Sequence, residues 1–265
     1  MNGMTKTARP LSHLAWHLWL PVALIAILWF ASSLSTSFYF PPASKVFEQA
    51  WHVWVPEAFI TDAVPSLARL VMGFALAVVA GIVLGGTLGL IPALEHAVRP
   101  LTESIRAVPG VALLPVAMMF MGTGDTMKLV MIAFTSMWPV LLNTIEGVRR
   151  IEPGQRAVMD SFRLTPWHRF RFAYFPAALP QIFAGARISL AIAVAVMVAV
   201  EMFGTPGGIG HFIRAAQQTF RIVDMWTGLL VLGLFGYALN VLFRMLEQRV
   251  LRWHYRMSDH VRGKK

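Results

Sequence analysis

The chain has 265 residues, 57% of them hydrophobic and only 14% charged, with a mean hydropathy of +0.61. A soluble domain of this length needs far more charge to cover its surface, and several spans of about 20 apolar residues each leave no room for a large soluble domain. The formal charge of +10 admits nucleic acid or anionic lipid as a partner. The absence of cysteine excludes disulfides and thiolate metal sites, and the eight histidines form no H-E-x-x-H motif, so neither metal nor other cofactor is expected.

In chain order, residues 1–13 read as a basic tail carrying Lys6 and Arg9. The apolar run 14–34 follows. It is too long for the hydrophobic core of a signal peptide and lacks a clear small-x-small cleavage site, so it reads as a retained span. The loop 35–64 holds Tyr39-Phe40-Pro41-Pro42 and an amphipathic stretch from Val46 to Val55 suited to the outer interface. Further apolar segments cover 65–92, 105–122, 127–147, 179–203 and 226–246, giving an all-α, polytopic bundle of about six spans in one domain over 14–247. Gly81, Gly85 and Gly89 in the second segment place small residues on one stripe, where another helix can approach closely. Pro109 and Pro115 interrupt the third segment and predict a kink there. The run Met118-Met119-Phe120-Met121 reads first as packing and second as pathway lining, and Asp125 and Lys128 read as solvated loop charges.

Between the fourth and fifth segments lies a basic insert, 148–178. Glu152-Pro153 has the form of a helix start with Pro at the first position. Val158, Met159 and Phe162 then share one face, with Arg156, Asp160 and Arg163 on another. Thr165-Pro166 is a second N-cap and first-turn pair. Pro176 and Pro180 are expected to end this helix pair before the next span. By periodicity alone, the insert is equally well a basic helix lying on anionic lipid.

The fifth segment carries Arg187 and Glu201, 14 positions apart and so about 21 Å along a helix, too far to pair with each other. Charges inside spans are expensive and face protein or water. In one reading Arg187 reaches the inner headgroups and Glu201 sits at the outer boundary. In the other, Arg187 holds the inner end of the bundle and Glu201 lies near the pathway or its outer gate. The Gly-rich 204–210 stretch, Gly204-Thr205-Pro206-Gly207-Gly208-Ile209-Gly210, suits a tightly turning outer loop, and residues 248–265 form a second basic tail. With both termini inside, the cytoplasmic pieces hold 17 of the 23 Lys and Arg and the outer pieces hold four. This asymmetry supports six spans with both termini inside, and it explains the net charge without nucleic acid.

The insert resembles the EAA loop of ATP-binding-cassette importer permeases, and the likeness extends along nearly the whole chain. The matching pieces begin with Phe40-Pro41-Pro42, Ser66-Leu67-Ala68-Arg69, Arg99-Pro100, Arg106-Ala107-Val108-Pro109, Leu114-Pro115 and Gly122. They continue with Asn143-Thr144, Gly147-Val148-Arg149, Pro176-Ala177-Ala178-Leu179-Pro180, Gly185-Ala186-Arg187, Glu201, Gly208-Ile209-Gly210 and Trp253. The branch is the nitrate, sulfonate and taurine type of binding-protein-dependent inner-membrane component. The resemblance implies a type I importer fold and two copies around one pathway. It also implies a cytoplasmic ATPase subunit, an external or periplasmic substrate-binding protein, and a homodimer or heterodimer of permeases. The coupling residues it implies are Ala157, Val158, Met159, Asp160, Ser161, Phe162, Arg163, Leu164 and Thr165, with Pro176 and Pro180. Its pathway or gate candidates are Pro109, Pro115, Arg187 and Glu201. Two departures stand out: Ala157-Val158-Met159 where Glu-Ala-Ala is usual, and Arg163 where glycine is usual. Since arginine tolerates positive φ poorly, the expectation is a turn built without a left-handed residue.

No G-x-x-x-x-G-K-[ST] cradle and no G-x-S-x-G elbow occurs, so ATP hydrolysis belongs to a separate subunit and the chain is not an enzyme. The rival from another class is a self-contained secondary carrier or channel using Arg187 and Glu201. Few intramembrane acids and no evident inverted repeat support it.

Overall fold

The computed structural model describes residues 10–203 and 207–253, and within them every regular element is helical. The tail charges Lys6, Arg9, Arg256, Arg262, Lys264 and Lys265, and Gly204-Thr205-Pro206 of the predicted outer loop, lie outside the described residues. Helix α1 covers Pro10–Ser33 and α2 covers Ala43–Val53. A wide-turn segment, Trp54–Ala63, then leads into α3, Val64–Leu90. It is broken at Val55 (φ −120°, ψ 113°), because the residue before a proline is driven out of the helical region.

The third predicted span is not a straight helix. As its prolines predict, residues 105–122 are broken: they take in the end of α4 (Pro92–Ala107), a short 3₁₀ turn (Gly110–Leu113) and α5 (Leu114–Met121), with an 84° bend across the break. Val108 is extended for the same pre-proline reason, and Pro109 caps the turn. Met118 packs onto the core, but Met119 and Phe120 are among the most exposed side chains of the molecule, so the packing reading holds for only part of that run.

Helix α6 is Asp125–Arg149, α7 is Pro153–Ser161, α8 is Pro166–Arg169, α9 is Phe175–Phe203, α10 is Ile209–Gln218 and α11 is Ile222–Val250. Four helical stretches are long and apolar enough to cross a membrane, and five if the bent α4–α5 pair counts as one. Of the first predicted span, Val22–Ser33 forms a shorter apolar stretch.

The centre of the bundle is α3, α6 and α9. Helices α3 and α6 run parallel, touching at Gly73–Ile132, Gly81–Val140, Gly85–Thr144 and Gly89–Val148. A Cβ added at Gly85 would sit 2.5 Å from the Leu141 carbonyl oxygen, so only glycine permits this approach. Helix α9 runs antiparallel to α6. Gly147 meets Ala178, Gly185 lies against the Pro139 carbonyl, and Ser189 Oγ donates to the Ser136 carbonyl at 2.5 Å. Leu70, Met127, Ile132, Ala193, Val196 and Val200 fill the space between the three helices.

At one end, α2 and α10 close over α11. The Trp54 indole donates to Thr227 Oγ1 at 3.0 Å and the Gln49 amide to Asp224 at 2.8 Å. Helix α1 rests on this layer through the Trp29–Phe47 ring contact.

Candidate functional sites at the two ends of the α8–α9 rod

The basic insert folds as two helices joined by a tight turn. Helix α7 starts with Glu152 as N-cap and Pro153 at its first position, and α8 starts at the Thr165 cap, whose hydroxyl accepts from the His168 backbone N–H at 3.4 Å. The turn overturns the expectation for Arg163. Its φ is 47°, squarely left-handed. Leu164 N–H donates to the Met159 carbonyl at 3.1 Å and Arg163 N–H to the Asp160 carbonyl at 3.0 Å. This is the paired hydrogen-bond pattern with which helices commonly end on glycine. Arginine holds the glycine position at a backbone cost of about 1 kcal/mol, because both hydrogen bonds are formed by the main chain and do not depend on the side chain.

Arg169 braces the turn from the second helix, its Nη1 2.6 Å from Asp160 Oδ1 and its Nε donating to the Leu164 carbonyl at 2.8 Å. Of the apolar face read from periodicity, Met159 alone is buried; Val158 and Phe162 are exposed, the latter at 75%. Ala157, Ser161 and Leu164 are likewise open or half-open. The loop therefore carries an outward apolar tip.

Pro176 and Pro180 do not end the unit. Helix α8, a wide turn over Phe170–Tyr174 and α9 form one continuous helical stretch of 38 residues, Pro166–Phe203. The Pro176 ring crowds the carbonyl four residues back, that of Phe172, and the wider turn at Phe170–Tyr174 accommodates it. The rod is about 57 Å long at 1.5 Å per residue.

Near its far end is Glu201, fully buried. Its carboxylate accepts from Ser66 Oγ at 2.7 and 2.8 Å, from Arg69 Nη1 at 2.9 Å and from the Gly210 backbone N–H at 3.1 Å. Ser66 Oγ in turn accepts from Ile209 N–H at 2.9 Å, and Asp62 accepts from Gly208 N–H at 2.8 Å. Arg69 reaches on to Asp125 at 2.8 Å, with Lys128 Nζ 3.8 Å from the same carboxylate. Gly208, at φ 111°, lies so close to the Glu201 carboxylate that a side chain could not fit. Arg69 and Lys128 thus face Glu201 and Asp125, with Asp62 beside them on the Gly208 N–H, where the starts of α3, α6 and α10 meet the end of α9. Burying charges is tolerated only with such pairing.

One expectation is corrected here. Lys128 is not a solvated loop charge but fully buried in the first turn of α6, and Asp125, though its side chain is largely exposed, bridges Arg69 and Lys128. Glu201 is enclosed by protein. Arg187, 14 positions earlier, pairs with the buried Glu247 of α11. Pro109 and Pro115 lie at the α4–α5 bend and do not join either cluster. Sequence reasoning missed Ser66, Asp62 and Glu247 as partners. The available signal was Arg69, a cation inside an apolar segment that had to be neutralised by some distant acid.

Residues 77–252 match the model of a family described as "Binding-protein-dependent transport system inner membrane component". The chain belongs to this family. It is 26% identical over 238 residues to the taurine transport system permease protein TauC of Escherichia coli (strain K12), covering 87% of this chain and 86% of the relative. It is 32% identical over 186 residues to the nitrate import permease protein NrtB of Synechocystis sp. (strain ATCC 27184 / PCC 6803 / Kazusa), covering 70% of this chain and 68% of the relative. In fold it matches a chain of the MetNI methionine ABC transporter in an inward-facing conformation, with a TM-score of 0.59 and 21% identity over 71% of this chain and 91% of the other. The binding-protein-dependent permease is thus a multi-pass inner-membrane component, non-catalytic itself, of a system that also comprises an ATPase and a substrate-binding protein.

Proposed function

We propose that two copies of this permease form a pathway for a small solute bearing an oxyanion group, such as a sulfonate, taurine or nitrate, and that the 152–175 loop receives the ATPase in the cytoplasm. The substrate class rests on the taurine and nitrate relatives. The orientation, with both termini cytoplasmic in one spanning domain over 14–247, rests on the charge asymmetry.

The observation that carries the coupling reading is the continuous helix from Pro166 to Phe203, which links the loop to the buried Glu201 cluster. A push on the exposed tip passes through the Asp160–Arg169 pair to this helix. The far end of that rod holds Gly210 and, through Ser66 and Arg69, the starts of α3 and α6. Repacking at the cluster then exposes the pathway to alternate sides, with Arg187 and Glu247 holding the middle of the rod to the late part of α11. Glu201 and Arg187 serve here as gate and anchor, and the bend at Pro109 and Pro115 flanks the pathway.

Reconstitution in proteoliposomes tests this. Uptake of taurine or nitrate that requires the ATPase, its ATP and the binding protein together supports it. Flux through the purified chain alone, driven by an ion gradient, contradicts it and favours the secondary-carrier reading.

A further inference from the structure

Arg163 combines a strained backbone with a charge that pairs with nothing among the described residues. It occupies a left-handed position, φ 47°, where glycine would serve the turn equally well, since the hydrogen bonds that close the turn come from the main chain. Among the described residues its exposed guanidinium makes no hydrogen bond and no ion pair. Arg156 is likewise exposed and without a side-chain partner among the described residues, but its backbone is unstrained helix, and the other two arginines of the loop differ. Arg169 is committed to Asp160 and to the Leu164 carbonyl, and Arg171 lies over the Phe172 ring. Asp160, the nearest acid in sequence, is therefore already taken. The loop over 152–175 has four arginines against Glu152 and Asp160, a net charge of +2. Beside Arg163 at the apex stands Phe162, 75% exposed. A strained residue whose side chain has no partner among the described residues points to a partner outside them.

We infer that Arg163 determines which ATPase this permease accepts: the groove receiving Phe162 carries a carboxylate on its rim, and the guanidinium meets it. The inference rests on the coupling reading above and adds to it the chemistry of the partner surface. A planar guanidinium forks onto a carboxylate in a way that a glycine turn cannot. The same charge could instead rest on anionic lipid, but its place at the apex beside an exposed aromatic ring favours a protein groove.

The test titrates the full-length permease, in nanodiscs of zwitterionic lipid, with the ATPase subunit of its own system at rising salt. Wild-type affinity should fall steeply with salt. Arg163→Gly, which relieves the backbone and so folds at least as well, should weaken binding about tenfold at low salt and flatten the salt dependence. Arg163→Lys should fall between the two. Equal affinity of Arg163→Gly and wild type at every salt overturns the inference alone. An effect of Arg163 that arises only with anionic lipid also overturns it, in favour of a membrane contact. A wild-type chain that binds no ATPase overturns the coupling reading with it.

Discussion

Glu201 Oε1 lies 2.9 Å from Arg69 Nη1, joining residues 132 positions apart in a setting where neither charge has ready access to water. The pair is the centre of a cluster of paired charges, and its physics is asymmetric. Removing one member leaves the other buried and unpaired, whereas removing both exchanges a polar network for an apolar one.

Glu201→Gln should therefore destabilise the permease by about 3 kcal/mol, read as thermal unfolding in detergent or nanodiscs. The double replacement Arg69→Met with Glu201→Leu should be less damaging than the sum of the two single changes. Additive losses would mean that the two side chains act independently.

The glycine stripe gives a paired control. A methyl at Gly85 would strike the Leu141 carbonyl and Thr144, while one at Gly86, the next residue, meets nothing within 4 Å. Gly85→Ala should cost about 1–3 kcal/mol by forcing α3 away from α6, and Gly86→Ala should stay within about 0.5 kcal/mol of wild type. Thermal stability of the two purified variants measures both.

The all-helical class and the helices that form the core were legible in the sequence, because apolar runs and small-residue spacing are local properties. The 81/85/89 stripe identified the face of α3 on which α6 packs. What escaped was non-local. Lys128 looked solvated because it lies near the edge of an apolar run, and its burial depends on Arg69 and Glu201 arriving from other helices. The left-handed Arg163 escaped for a different reason: propensity argued against it, and the turn's two main-chain hydrogen bonds outweighed propensity. Pro176 and Pro180 read as breakers, but an upstream wide turn absorbed the defect and the helix continued.

Arg187 and Glu247 tie the early part of α9 to the late part of α11. Arg187→Glu sets two carboxylates against each other and should cost about 1–3 kcal/mol, discounted because Arg187 is half exposed. Exchanging the pair, Arg187→Glu with Glu247→Arg, should restore at least half of the lost stability and transport. Failure of the exchange to recover either would assign Arg187 a role beyond this pair.

The central claim is that the 152–175 loop faces the cytoplasm and the Glu201 cluster faces the opposite side, with one rod between them. The native chain contains no cysteine, so a single introduced thiol reports its own location. Ser161→Cys and Gln217→Cys, at the two ends, can be treated with a membrane-impermeant maleimide in spheroplasts and in inverted vesicles. The account predicts that Cys at position 161 reacts only in inverted vesicles and Cys at position 217 only in spheroplasts. Labelling of position 161 from outside intact spheroplasts would put the loop beyond reach of any ATPase and contradict it.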